Sequence, residues 1–416
     1  MSAEKTTSKK MTRREMLKMS AFAGAGAIIG ASGLGAVTAL SDHLMPSSKK
    51  AAASGENDHR VPFYGDHQSG IVTPQQTSAY LAAFTITATK KEEIIALFKD
   101  WTHLAEMLSK GEVKQEDHAN DFIPPSDTGE SAGLGASNLT ITFGIGPTFF
   151  MKNGVDRFGL AAKKPKYLLE IPAMRGDSLQ EPFIGGDLCI QACADDQQVA
   201  FHAIRNMIKA ASGTADILWL QSGFINGAKG ETPRNLFGFK DGTANVSHKE
   251  TNRLKQIVWA DEGEPAWMKG GSYMAYRKIM MMIEIWDRTS LKSQEDTFGR
   301  KKDSGAGYGK VKEHDAVDTT QMPIGAHTRV ARETGREIYR RAYSYTDGID
   351  TLTGNMNSGL MFISFQKNPA KQFVPMLKKL AETDALNEYI KHVGSAMFAC
   401  PRGVRKGEYL AQDLFK

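Results

Sequence analysis

An aspartate, a histidine and an arginine carry the chemistry this sequence is best equipped to do. Asp241 sits in Gly238-Phe239-Lys240-Asp241-Gly242, His327 in Ala326-His327-Thr328-Arg329, and Arg340 opens the pair Arg340-Arg341. Together they supply a group that can move a proton, an imidazole that can bind a metal and a guanidinium that stays charged. Peroxide chemistry at haem iron needs those three: an axial ligand, a proton carrier between the two oxygens, and a cation for the departing oxygen. A carboxylate in the carrier's place ionises near pH ~4, so such a site works in mild acid unless burial raises its pKa. Each residue also has a plainer reading. Gly-x-x-Asp-Gly is a turn signature, a single histidine is more often a packed side chain, and two adjacent arginines suit a solvated helix face.

Groups so far apart in sequence need a fold to bring them together, and the apolar pattern suggests one. Residues 79–89 are rich in β-branched and aromatic side chains. Residues 91–108 then place Ile94, Ile95, Leu97, Phe98, Trp101 and Leu104 near helical spacing, so a strand feeds a helix. Residues 273–286 and 290–298 read as a second copy. Likewise 187–194 is a strand and 197–211 an amphipathic helix, and 360–366 with 370–381 repeat that pair about 173 residues later. The repeat predicts a duplicated α+β unit, with sheets of mainly antiparallel strands carrying helices on one face. Polar, glycine-rich residues 112–137 and 287–320 are predicted as long surface loops. Met280-Met281-Met282 reads as strand core rather than a metal box.

The first fifty residues stand apart. Thr12-Arg13-Arg14-Glu15-Met16-Leu17-Lys18 precedes a weakly apolar run from Met19 to Leu40 without a charge, the form of an export signal of the twin-arginine type. One uncleaved membrane helix is the alternative. Twin-arginine export carries folded proteins, which suits a chain that loads a cofactor before it leaves the cytoplasm. Cleavage after Ala39, or after Ala51, Ala52 or Ala53, fits the small-residue pattern. Residues 1–50 hold eight Lys/Arg and three Asp/Glu, a net of +5, which is also the net charge of the whole chain, so residues 51–416 sum to zero. Nothing basic there argues for nucleic acid. Cys189 and Cys193, on one face of a strand, would lie roughly 13 Å apart, so they are expected as buried core rather than as a disulfide.

Around these residues the sequence resembles a known family, the dye-decolorizing (Dyp-type) haem peroxidases, and within it the exported subgroup linked to bacterial iron uptake. The resemblance rests on Tyr64-Gly65-Asp66-His67-Gln68-Ser69-Gly70-Ile71, Gly185-Gly186-Asp187-Leu188, Phe237-Gly238-Phe239-Lys240-Asp241-Gly242-Thr243-Ala244-Asn245, Gly325-Ala326-His327-Thr328-Arg329, Arg340-Arg341 and Tyr343-Ser344-Tyr345, in that order. It implies two ferredoxin-like halves in a dimeric α/β-barrel-like architecture. Residues 1–50 are then signal and linker, 51–230 the N-terminal half, and 231–416 the C-terminal half holding haem b.

For the site, the resemblance implies His327 as proximal ligand, Asp241 as distal acid/base, Arg340 as distal cation and Asn245 as a distal polar neighbour. Backbone at Gly242, Thr243 and Ala244 is expected along the haem edge. Asp384 is expected as the acid behind His327, with helix capping as its alternative. The stretch after His327-Thr328-Arg329 departs from the family's usual one, leaving Arg329 or Arg332 as the cation for the haem carboxylates. Tyr339, Tyr343, Tyr345, Trp259 and Trp267 are candidates for oxidation of bulky donors at the surface, with packing as the plainer reading. The implied function is reduction of hydrogen peroxide with oxidation of ferrous iron or an aromatic donor, serving a membrane iron permease and its partner lipoprotein. Iron release from haem and a haem-binding carrier are the alternatives. An oligomer is compatible with all three.

Overall fold

The computed structural model describes residues 59–113, 122–228, 230–261 and 263–416, so the predicted export segment lies outside the described residues. Strand β1 (Ser78–Ile86) runs into helix α1 (Lys91–Ser109) as the sequence pattern requires. The Glu93 carboxylate accepts from the Lys90 amide at 3.0 Å and closes the helix start. Along α1, Ile94, Leu97, Phe98, Trp101 and Ala105 form one buried stripe. The chain continues through β2 (Thr140–Ile145), α2 (Pro147–Phe150), β3 (Leu188–Ala194), α3 (Gln197–Ala211), β4 (Ala215–Phe224), α4 (Thr251–Ile257) and β5 (Ser272–Met281). It ends with α5 (Ile283–Trp286), α6 (Leu291–Phe298), α7 (His327–Glu333), β6 (Tyr339–Arg340), β7 (Tyr343–Ile349), β8 (Met356–Gln366), α8 (Phe373–Thr383) and β9 (Ile390–Cys400).

Hydrogen bonds order the strands β5-β9-β2-β3-β1-β4-β7-β8, and β8 pairs back onto β5, so the sheet closes into a barrel. Strand β6 continues the line of β7 along β8. Pairing between these strands is antiparallel throughout. The N-terminal strands lie in the order β2-β3-β1-β4 and the C-terminal ones in the order β7-β8-β5-β9, which is the ferredoxin-like arrangement made twice. Between the named strands, Ile145 opposite Ala399 and Phe224 opposite Ser344 stitch one half to the other in register, and a single bridge from Ile184 to Ser395 adds to them.

Alternation along the strands separates two apolar layers. On β5, Met274 and Tyr276 join Cys189, Cys193, Trp219, Met361, Phe398 and Cys400 inside the barrel, whereas Tyr273 and Ala275 belong to the layer under the helices. All three cysteines are free and buried, as expected. In the N-terminal half the outer face is filled: Phe98 and Trp101 of α1 and Met207 of α3 pack on Phe84 and Phe143. In the C-terminal half the same face is open. There Arg277, Ile279, Leu360, Phe362 and His392 look into a cavity roofed by α7 and α8. Among the described residues, no helix is long and apolar enough to cross a membrane.

Barrel closure depends on how closely β8 approaches β5. A Cβ on Gly359 would stand 1.9 Å from the Ile279 carbonyl oxygen. Gly359→Ala therefore forces the closing strands apart, and a loss of about 1–3 kcal/mol in urea unfolding is expected. Wild-type stability in that variant would show that the closure tolerates a side chain there.

Candidate active site

His327 is the first residue of α7, and its position is set from both sides. The Ala385 amide donates to the Gly325 carbonyl at 2.8 Å, which brings Asp384 beside the ring. A Cβ on Gly325 would stand 3.2 Å from the Thr383 carbonyl oxygen, so glycine suits this close approach. Imidazole Nδ1 meets Asp384 Oδ2 at 2.5 Å, while Asp384 Oδ1 accepts from the Leu386 amide at 2.8 Å. Asp384 thus caps a short helical turn and orients the imidazole at once. With Nδ1 engaged, Nε2 is the nitrogen left for a metal, and the ring lines the cavity. Burial lowers the pKa of His327, but the charge and hydrogen bond of Asp384 outweigh it, and the net shift is upward. The same Asp–His contact would make the imidazole a stronger donor to a metal at Nε2.

Asp241 comes from the loop after β4. Its amide donates to the Pro233 carbonyl at 2.8 Å, and Gly242 follows at φ +130°, a conformation that suits glycine. Its carboxylate accepts from Arg340 Nη1 at 2.8 Å, with Asn235 Nδ2 at the limit of a hydrogen bond, 3.5 Å. Arg340 and Arg341 are not a solvated helix face. Arg340 ends β6 and Arg341 follows it in extended chain, its amide donating to the Ile363 carbonyl at 2.8 Å, so Arg340 turns to the cavity and Arg341 to the other side. Arg341 is buried there, its guanidinium donating to the Thr73 carbonyl and to Gln76.

Asp241, Gly242, Thr243, Ala244, His327, Arg340 and Asp384 therefore line one cavity of about 630 Å³. Asn245 and Arg329 do not. The Asn245 side chain accepts from the Arg340 amide at 2.9 Å and donates to its carbonyl at 2.7 Å, so it braces the arginine backbone. Arg329 pairs with Glu333 at 2.8 Å and with the Met322 carbonyl at 2.9 Å. Arg332, one turn along, lines the cavity, and its guanidinium makes no hydrogen bond or ion pair among the described residues. Tyr339, Tyr343, Tyr345, Trp259 and Trp267 are all buried, which corrects their candidacy as surface oxidation sites. Gln68, in the motif near the N-terminus, sits away from the cavity and ties the Phe143 and Pro401 carbonyls together at 3.0 Å each.

Other groups at the site escape a reading of the sequence. Residues 287–320, expected as a surface loop, include α6 and a segment that folds back on the Asp241 loop. Arg300 in it is buried and lines the cavity. His392 faces the same space, and its Nδ1 accepts from Arg277 Nε at 3.1 Å. Burial, then the Arg277 charge, push His392 down to about 3, so it stays neutral. The available signals were weak: none in the pattern of β9 singles out His392, and for Arg300 there is only a lone arginine after glycine.

A barrel of two ferredoxin-like halves, with an acid, a guanidinium and an imidazole around a cavity in the second, defines a haem peroxidase. Family models for the N-terminal and C-terminal parts of Dyp-type peroxidases match residues 68–225 and 232–405. The chain belongs to the Dyp-type peroxidases. It is 37% identical to a deferrochelatase of Escherichia coli O6:K15:H31 over 425 aligned positions, covering 97% of each chain, and 38% identical to one from Shigella boydii over 86% of this chain and 88% of that one. Among solved structures, the DyP-type peroxidase of Streptomyces coelicolor matches with a TM-score of 0.79 at 36% identity, over 86% of this chain and 97% of that one. The oxyferrous/water complex of DtpA from Streptomyces lividans also matches at 0.79 and 36%, over 86% and 98%.

The residues present fit haem. The cavity falls within the ~300–1,000 Å³ range of sites for such ligands, a histidine offers a bare Nε2, and Arg332 is a cation without a hydrogen bond or ion pair among the described residues. Because ligation needs an unprotonated Nε2, haem affinity is expected to rise with pH through the raised pKa of His327 and then level off. In Asp384→Asn the burial that lowers this pKa is left without its opponent, so the rise moves to lower pH and the plateau affinity falls about 10–100-fold. Soret titrations of haem-free protein between about pH 5 and 9 measure both effects. An affinity that ignores pH and the substitution would show that His327 is not the ligand.

Proposed function

We propose that this protein is an exported haem b peroxidase that reduces hydrogen peroxide with electrons from ferrous iron, aromatic dyes serving as surrogate donors. The observation that carries the reading is the Asp241–Arg340 contact at 2.8 Å on the cavity that His327 enters. Haem, when bound, supplies iron with an open position for peroxide and the redox capacity to reduce it. His327 holds it through Nε2, and Arg332 and Arg300 are the cations available to its carboxylates. Asp241 takes a proton from one peroxide oxygen and delivers it to the other, which leaves as water. Arg340 donates to the oxygen on which negative charge builds as the bond breaks. Two electrons and two protons turn one peroxide into two waters, so two ferrous ions become ferric.

A link to iron is supported by the likeness to deferrochelatases across nearly the whole chain, which makes ferrous iron a fitting donor, and export by Arg13-Arg14 and the uncharged run after them. Ferric iron made outside the cytoplasm, at the membrane or cell wall, would pass to a permease and its lipoprotein. The names of those relatives also favour a second reading, release of iron from haem with the porphyrin intact. A haem carrier, by contrast, has no use for a paired acid and guanidinium over its ligand.

Asp241→Asn and Arg340→Leu should each lower peroxide turnover about 10²–10⁴-fold while the Soret band shows haem still bound. Stopped-flow mixing of the loaded protein with peroxide, then with ferrous ion or a dye, ranks the donors. Iron-free porphyrin appearing in the presence of a chelator would favour the second reading. Variants that turn over peroxide at the wild-type rate would leave only the carrier.

A further inference from the structure

Glu313 lies within the segment whose polar, glycine-rich composition predicts a surface loop, yet its carboxylate is turned inward. Oε2 accepts from Lys240 Nζ at 2.9 Å and Oε1 from Thr243 Oγ1 at 2.9 Å. Burial opposes the charge, but hydrogen bonds from Thr232, Lys240 and Thr243 overcome it, and Glu313 is held down to about 2. Its backbone carbonyl also accepts from Arg300 Nη1 at 3.1 Å. Lys240 and Thr243 are the residues that bracket Asp241 and Gly242. One carboxylate therefore anchors both sides of the turn that presents the distal acid.

Backbone bonds hold the main chain of the turn, from the Asp241 amide to the Pro233 carbonyl and from the Asn245 amide to the Gly242 carbonyl, each at 2.8 Å, but its side chains have few other restraints. Gly242 adds no side chain, and beyond its bond to Arg340 the Asp241 carboxylate has only the long contact to Asn235. Space for the anchor is built into the opposing segment. A Cβ on Gly305, at φ +73°, would stand 2.9 Å from Lys240 Cδ and 3.3 Å from Glu313 Cγ, so a side chain there would push the pair apart. Glu313 itself is not among the residues lining the cavity, so it does not reach peroxide.

We propose that Glu313 is a positioning residue for the distal acid, clamping Lys240 and Thr243 so that the turn holds Asp241 against Arg340 at the cavity wall. This rests on the assignment of Asp241 as the proton carrier. Removing the clamp loosens the turn without touching the imidazole, so haem still binds while the reaction with peroxide slows.

The test pairs Glu313→Gln with Asp241→Asn, singly and together, in haem-loaded protein. Glu313→Gln should slow peroxide turnover about 10–100-fold at unchanged haem content. Added to Asp241→Asn it should cost nothing more, because both act through one carboxylate. In haem-free Glu313→Gln, amides 240–245 should exchange with solvent at least about tenfold faster than in wild type. Should Glu313→Gln fail to fold, Thr243→Val removes one arm of the clamp and is expected to show the same pattern in smaller measure. Full-rate Glu313→Gln, a multiplicative loss in the double variant, or unchanged amide exchange would each overturn the proposal while the function stands. Undiminished turnover in Asp241→Asn would instead remove the proton-carrier assignment, and this inference with it.

Discussion

One contact governs the rest of the site: His327 Nδ1 against Asp384 Oδ2 at 2.5 Å. It settles which nitrogen faces the cavity, limits rotation of the ring and makes Nε2 a stronger donor. Two pieces of chain that are distant in sequence must meet for it to form, the start of α7 and the turn between α8 and β9. The hydrogen bond from Ala385 to Gly325 joins those pieces at the backbone, so the orientation of the ligand does not depend on one carboxylate alone. The distal side follows the same plan. Asn245 grips the backbone of Arg340 at both its amide and its carbonyl, and the guanidinium then meets Asp241. In each case the side chain that lines the cavity is fixed by a neighbour that holds main chain.

Duplication explains why there is one such site. Both halves build a sheet face with helices over it, but they fill the space between differently. Trp101 and Phe98 close the N-terminal half, whereas α7 and α8 cover the C-terminal sheet without filling the gap. The strands of the two halves share one barrel interior, so the filled half lends rigidity to the half that must leave room for a ligand.

How much of this was legible in the sequence depended on whether a segment's own pattern decided its fate. The strand–helix pairs at β1 and α1, and at β3 and α3, follow from the sequence to within a few residues: each helix buries one face at helical spacing, and each strand, buried on both faces, is marked by its apolar run just before that helix. Strands β2 and β9, also buried along most of their length, are not followed by a long amphipathic helix that would mark them and were not foreseen. Within the site, Asp241, His327 and Arg340 were found through motif order. Their supports were harder to see, because Glu313, Arg300 and His392 act through contacts that only the folded chain creates. Asn245 shows the limit of reasoning by residue type: its amide was expected to face the distal space, but its donor and acceptor both match the Arg340 backbone.

The three thiols inside the barrel gain meaning in a protein whose trade is an oxidant. Burial raises the pKa values of Cys189 and Cys400 far above the usual thiol range, so neither ionises, and it is the thiolate that peroxide attacks. Cys193 is enclosed in the same interior. Strand closure thus does a second service beyond holding two halves together, since it keeps the thiols buried and, at Cys189 and Cys400, protonated, the form least reactive toward peroxide. Durability over many turnovers is, in this architecture, a property of the barrel wall.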